Sequence, residues 1–169
     1  MMFGEEHMKY TCEATQKFEP MAEELVPFLL SLLRECNRIS KEVDAMHKEQ
    51  ETAKGERLSY QELQMLFQEK ERRVMVLAKE KCTDELLALG CNSSFGGDGE
   101  YGYVDRDFEL IFTMKSGKKA TIETRFYKVS HYQSRHLFVL KLTEDGWRIH
   151  EKKYGYYGHG DDTWYKDKI

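Results

Sequence analysis

The sequence predicts an α+β protein in which N-terminal helices pack on a curved antiparallel sheet. Three observations carry this. Apolar residues recur every three or four positions before residue 90, they alternate with a period of two from Phe108 onwards, and a glycine-rich stretch divides the two regimes. At 169 residues the chain suits one domain, with a helical part at about 18–90, a sheet part at about 95–154 and a C-terminal tail at 155–169.

The helical elements are justified in order. Met21, Leu25, Phe28 or Leu29, Leu32, Cys36, Ile39, Val43 and Met46 form one stripe, which predicts a helix of about 25 residues. Pro27 falls within it, and because proline removes a backbone donor and crowds the preceding turn, the helix is expected to start near Glu24 or to kink. The segment His47–Arg57 has no apolar period and contains Gly55, so it reads as a frayed end and an exposed connection. Ser59 and Glu62 then have the spacing of a capping box, which opens a second helix carrying Leu63, Leu66, Phe67, Val74, Leu77 and Ala78. Thr83 is placed to cap a short third helix that ends at Gly90.

The sheet elements follow. Gly96-Gly97-Asp98-Gly99 lies after helix and before strand, the reverse of a phosphate-cradling loop, and reads as a turn into a short strand at Tyr101–Val104. Phe108, Leu110, Phe112 and Met114 share one face, Ser116-Gly117-Lys118 turns the chain, and Ala120, Ile122, Thr124 and Phe126 continue that face on the return. Phe138, Leu140 and Leu142 precede a turn at Glu144-Asp145-Gly146, after which Trp147 and Ile149 are expected to point the same way. Arg125, Lys141, Arg148, His150 and Lys152 fall outward, so the open face of this four-stranded sheet reads as basic, either solvated or docking an acidic surface.

Composition narrows the function classes. Hydrophobic residues make up 40%, charged residues 33%, and the formal net charge is −4, which argues against nucleic acid as a partner. Residues 1–90 hold 13 basic against 18 acidic residues, so an acidic helical half could steer a basic partner. Cys12, Cys36, Cys82 and Cys91 lack Cys-x-x-Cys spacing, and neither a zinc site nor any cofactor is signalled. The first residues are acidic rather than apolar, and Leu25–Leu33 is far shorter than the ~20 residues of a membrane span, so no membrane association and cytoplasmic residence are expected.

No hydrolase, metalloprotease or P-loop motif is present, and His131, His136 and His150 are the candidates for acid–base chemistry. The tail Tyr154–Tyr165 combines aromatic rings with Asp161 and Asp162 on a glycine-rich segment, a composition that suits either protein recognition or stapling of the terminus to the core. Long helices followed by Phe-Val-Leu-x-Leu at 138–142 and Gly-Trp-Arg-Ile-x-x-Lys-Lys-Tyr at 146–154 resemble the nuclear transport factor 2-like superfamily, and more narrowly its immunity proteins of bacterial polymorphic toxin systems.

The resemblance implies a bent sheet wrapped into a cone around the helices and a protein that binds and neutralises a cognate toxin domain by occlusion, without catalysis. It supplies no match for the catalytic Asp or His of the superfamily's enzymes. On this reading Tyr101, Tyr103, Tyr156, Tyr157 and Trp164 are candidate anchors, with Asp161 and Asp162 as charge partners. The alternative is an isomerase- or dehydratase-like enzyme, or a ligand-binding protein, that uses the cone interior; it predicts a polar pocket around His131 or His136 rather than a filling of Phe112, Phe126, Phe138 and Trp147 alone. An adaptor that oligomerises through its helices is a third reading.

Overall fold

A computed structural model describes residues 7–97, 99–127, 133–158, 160 and 162–169. Strand β1 (Met8–Cys12) is followed by a 3-10 turn (Gln16–Met21) and the long helix α1 (Ala22–Lys54). Helices α2 (Tyr60–Ala78) and α3 (Asp84–Leu87), then a second 3-10 turn (Gly102–Asp105), lead into strands β2 (Phe108–Ser116), β3 (Lys119–Tyr127), β4 (Gln133–Thr143), β5 (Gly146–Tyr156) and β6 (Trp164–Asp167). The class is α+β as expected, but the sheet has six strands in the order β1-β2-β3-β4-β5-β6, is open, and is mixed, because β1 runs parallel to β2. The expected four-stranded antiparallel sheet therefore lacks its two outer members.

Helix α1 starts before Pro27 and passes through it, at 33 residues longer than its apolar stripe. Its polar end, expected to fray, is held by pairs one turn apart, Lys48 to Asp44 at 2.7 Å and His47 to Glu51 at 3.0 Å. Gly55 then closes it at φ 77°, a conformation that favours glycine, with its N–H on the Glu51 carbonyl. The capping box is present in full: Ser59 Oγ accepts from the Glu62 N–H, and Glu62 accepts from the Ser59 N–H. Ser59→Ala is expected to cost about 1 kcal/mol in urea denaturation; an unchanged midpoint would mean that α2 is fixed by packing alone. Thr83 caps α3 as read from the sequence, whereas Tyr101–Val104 forms a 3-10 turn and no strand.

Phe108, Leu110, Phe112, Met114, Ala120, Ile122, Thr124 and Phe126 are all buried, as their alternation predicts. Leu25, Val26, Leu29, Leu32, Leu33 and Ile39 of α1 belong to the same cluster of buried side chains. A bulge changes the pattern on β5: Leu140 pairs with Ile149, but Val139 pairs with Glu151, so one extra residue lies between. In a strand a one-residue slip exchanges the two faces. Beyond the bulge the even positions Lys152, Tyr154 and Tyr156 turn to the helix side, which overturns the outward reading of Lys152, now 0% exposed. Leu142 shares the face of Trp147 yet stays 40% exposed.

Candidate functional site

Where β4, β5 and β6 meet the second 3-10 turn, the helix-facing side of the sheet turns from apolar to polar. Lys152 Nζ donates to Glu100 Oε1 and pairs with Asp167 Oδ2, both at 2.9 Å, donates to the Lys168 carbonyl at 3.1 Å, and lies 4.8 Å from the centre of the Tyr101 ring. A fully buried ammonium needs this many acceptors to offset its lost hydration. Glu100 also accepts from Asn92 Nδ2 at 2.9 Å and lies 3.4 Å from His136 Nε2. Gly99, at φ 69° and with a built Cβ 3.3 Å from Ser40, lets the glycine-rich segment come close to α1 and deliver Glu100 inward.

His136 sits between two partners. Its Nδ1 is 3.0 Å from Tyr103 OH, which is 2.8 Å from Thr124 Oγ1. One protonation pattern satisfies the whole chain: Thr124 donates to Tyr103, Tyr103 donates to Nδ1, and Nε2–H points at Glu100. Burial, aided by the positive charge of Lys152, pushes His136 down to about 4 against the pull of Glu100, so the ring is neutral at pH 7. Burial pushes the Glu100 carboxyl upward, but its hydrogen bond with His136 and the Lys152 charge outweigh that and hold it well below the usual carboxylate range. Both imidazole nitrogens are engaged, so neither is a free base.

Beside this network a cavity of about 210 Å³ is lined by Phe126, Ser134, His136, Tyr154, Tyr156 and Asp167, among others. The Ser134 hydroxyl is buried there without a hydrogen-bond partner among the described residues. The interior is therefore not filled by Phe112, Phe126, Phe138 and Trp147 alone. Its volume is below the ~300 Å³ at which pockets for drug-sized ligands begin. No group of three or more metal-binding side chains occurs among the described residues.

The outer face of the sheet holds a second cluster. Arg135, 7% exposed, lies 3.9 Å from the centre of the Trp164 ring, and Arg125, directly opposite it on β3, lies 5.2 Å from that of Tyr157. Glu123 ties both guanidinium groups, at 2.7 Å to Arg125 and 3.5 Å to Arg135. Gly155 makes the packing possible, since a built Cβ would meet the Thr163 carbonyl at 2.8 Å and Arg135 Nε at 3.2 Å. Nε and Nη2 of Arg135 have no hydrogen-bond partner among the described residues.

The sequence-predicted residues divide accordingly. Tyr157 and Trp164 meet on the outer face, linked by the Arg125–Arg135 pair. Tyr156 is 41% exposed on the helix-facing side at the mouth of the cavity, and Asp162 is exposed. Tyr101 and Tyr103, expected as anchors, are 3% and 2% exposed and belong to the core: Tyr103 stacks on Phe126 at 3.9 Å and 6°. Side chains this deeply buried offer a partner almost no surface, which corrects that expectation. Asp161 and His131 lie outside the described residues. His150 bonds Thr83 at 3.1 Å and is distant in role from the cavity. Glu100, Lys152 and Asp167 carry no sequence motif; the one local signal is a lysine in the alternating run 147–154, and simple alternation assigns it to the outer face because the bulge after Ile149 leaves no mark in the sequence.

The fold and these two clusters define an open-sheet α+β protein with a polar interior and an aromatic–arginine outer patch. No protein-family model, curated protein or solved structure matches the chain. Among the described residues no helix is long and apolar enough to cross a membrane.

Proposed function

We propose that this chain is a cytoplasmic immunity protein of the nuclear transport factor 2-like kind, which binds a cognate bacterial toxin domain and neutralises it by occlusion. The observation that carries the proposal is the outer cluster of Tyr157, Trp164 and Arg125, with the buried Arg135 packed against the Trp164 ring, because Tyr, Trp and Arg are the residue types that dominate protein-binding hot spots. The order of long helices followed by a sheet, and the Phe138–Tyr154 hairpin, are consistent with the cone of that superfamily. The mutual engagement of Glu100, His136 and Lys152 argues against an enzyme, since general catalysis needs a base that is free to take a proton.

The test is calorimetric binding to the C-terminal domain encoded by the neighbouring upstream gene, inactivated for handling. The expected result is one-to-one binding at about 10 nM or tighter. Replacing Tyr157 and Trp164 by Ala should weaken it by roughly 30-fold, the equivalent of ~2 kcal/mol. Full affinity in that double variant, with an unchanged circular dichroism spectrum, would remove both from the anchor set. A second reading, a small-ligand protein, is favoured by the cavity and its unpartnered Ser134 hydroxyl; absence of binding to the neighbouring domain would transfer weight to it.

A further inference from the structure

The pairing registers place the outward side chains in rows across the sheet. In the row nearest the β2–β3 and β4–β5 turns, Lys119 lies directly opposite Lys141, and Lys141 directly opposite Arg148. Like charges in directly opposed positions oppose strand pairing, so three cations in line work against the fold unless something else meets them. Among the described residues none of the three is in a salt bridge; Arg148 Nη1 donates only to the carbonyl of Trp147, at 2.8 Å. Lys115 and Lys118 flank the row, and an open groove of about 250 Å³ between β2 and β3, lined by Thr113, Lys115, Lys119 and Thr121, meets it at Lys119.

The rest of that face has the same sign. Its outward register positions hold eight basic residues against three acidic ones, in a chain whose net charge is −4. Each acid is already engaged: Glu109 with Lys9 at 3.5 Å, Glu123 with both arginines, and Glu151 with Lys153 at 3.6 Å. The excess is positive, and the row of Lys119, Lys141 and Arg148 holds no acid at its outward register positions; Glu144 and Asp145 lie beyond it in the β4–β5 turn and pair with none of the three among the described residues.

We propose that the outer face of the sheet, centred on Lys119, Lys141 and Arg148, is the docking surface for an acidic patch of a partner protein. This rests on the protein-binding reading given above and names the surface and the sign of what it takes. It reverses the charge expected of the partner from the acidic helical half. Charge complementarity selects a compact acidic surface rather than a long polyanion. Glu109, Glu123 and Glu151 interrupt any continuous phosphate track, and the negative remainder of the molecule repels a chain that extends past the sheet. The aromatic cluster at the other end of the same face supplies apolar anchorage. Strand spacing of ~4.8 Å and a rise of ~3.4 Å per residue give the six strands a face of roughly 800 Å², comparable with the ~800 Å² that one partner contributes to a standard interface.

The experiment uses the full chain, labelled with nitrogen-15 and titrated in low salt with a hexaglutamate peptide, with a twelve-base-pair DNA duplex and with anionic phosphatidylserine vesicles. The expected result is fast-exchange shifts from hexaglutamate confined to the backbone amides around residues 119, 141 and 148 and abolished by 0.5 M salt. Hexaglutamate shifts that fall elsewhere, no shifts at all, or tighter binding to DNA or vesicles than to hexaglutamate would each overturn the proposal.

A second arm separates the surface from the function. Against the neighbouring domain, the variant Lys119→Glu, Lys141→Glu, Arg148→Glu should bind about tenfold or more weaker, whereas Arg57→Glu, Lys79→Glu on the helical side should not change affinity. Unaltered affinity in the triple variant would overturn the surface and leave the immunity reading standing. Failure of the unmodified chain to bind that domain, while hexaglutamate still maps to the row, would overturn the immunity reading and support the surface.

Discussion

Replacing Lys152 by Met is expected to destabilise the fold by about 3–5 kcal/mol, more than any surface substitution proposed above. The Met side chain fills most of the same space, so the effect is electrostatic rather than a cavity term. What it removes is the single ammonium that sits 2.9 Å from both Glu100 and Asp167. Two carboxylates would then share a region with 0% exposure at its centre, and beside them only the Asn92 amide and the neutral His136, neither of which carries a positive charge. Uncompensated buried charge is among the few single changes that cost this much. Urea denaturation checks it, and the double variant Lys152→Met, Glu100→Gln should recover part of the loss, because the orphaned charge goes with its partner. A loss below ~1 kcal/mol in the single variant would show that water reaches the network and that Glu100 and Asp167 are solvated in place.

The same network marks the limit of what the sequence discloses. The apolar alternation of residues 108–126 locates two strands and their inward residues because each position reports its own environment. Capping at Ser59 and Thr83 is equally local. The bulge between Ile149 and Glu151 has no such signature, and by exchanging the faces of β5 it sends Lys152 inward and lets Tyr157 and Trp164 share the outer side. Strand β1 was illegible for a different reason. Met8, Tyr10 and Cys12 alternate over only five residues, and what makes them a strand is parallel pairing with residues 108–112, about a hundred positions away. The cluster Glu100, His136, Lys152 and Asp167 is gathered from a turn and three strands, so no spacing in the chain could announce it. The tail was legible in composition alone: its aromatic residues proved to be divided between the two faces of β5 and β6.

Acidification is expected to weaken the fold in two stages, and the sign follows from which state binds protons more readily. His136 is pushed down to about 4 in the folded protein, against ~6.5 when exposed. Between those values the unfolded chain takes up a proton that the folded chain refuses, so stability is complete above pH ~6.5 and falls as pH drops toward 4, by on the order of 3 kcal/mol. Glu100, held far below the ordinary carboxylate range, adds a second loss that begins as pH falls through the unfolded value near ~4.3 and continues below it. On the alkaline side the buried thiols act in the opposite sense. Burial raises Cys36 and Cys82 to about 12, so the folded state keeps protons that the unfolded chain releases above pH ~8.5, and stability declines again there. The plateau is therefore expected between about pH 6.5 and 8.5. Urea midpoints measured from pH 4 to 10 would display it. His136→Gln, which keeps an amide able to reach Tyr103 and Glu100 but cannot titrate, should flatten the segment between pH 6.5 and 4. An identical slope in that variant would assign the acid sensitivity to other groups and place His136 in a wetter setting than its 3% exposure implies.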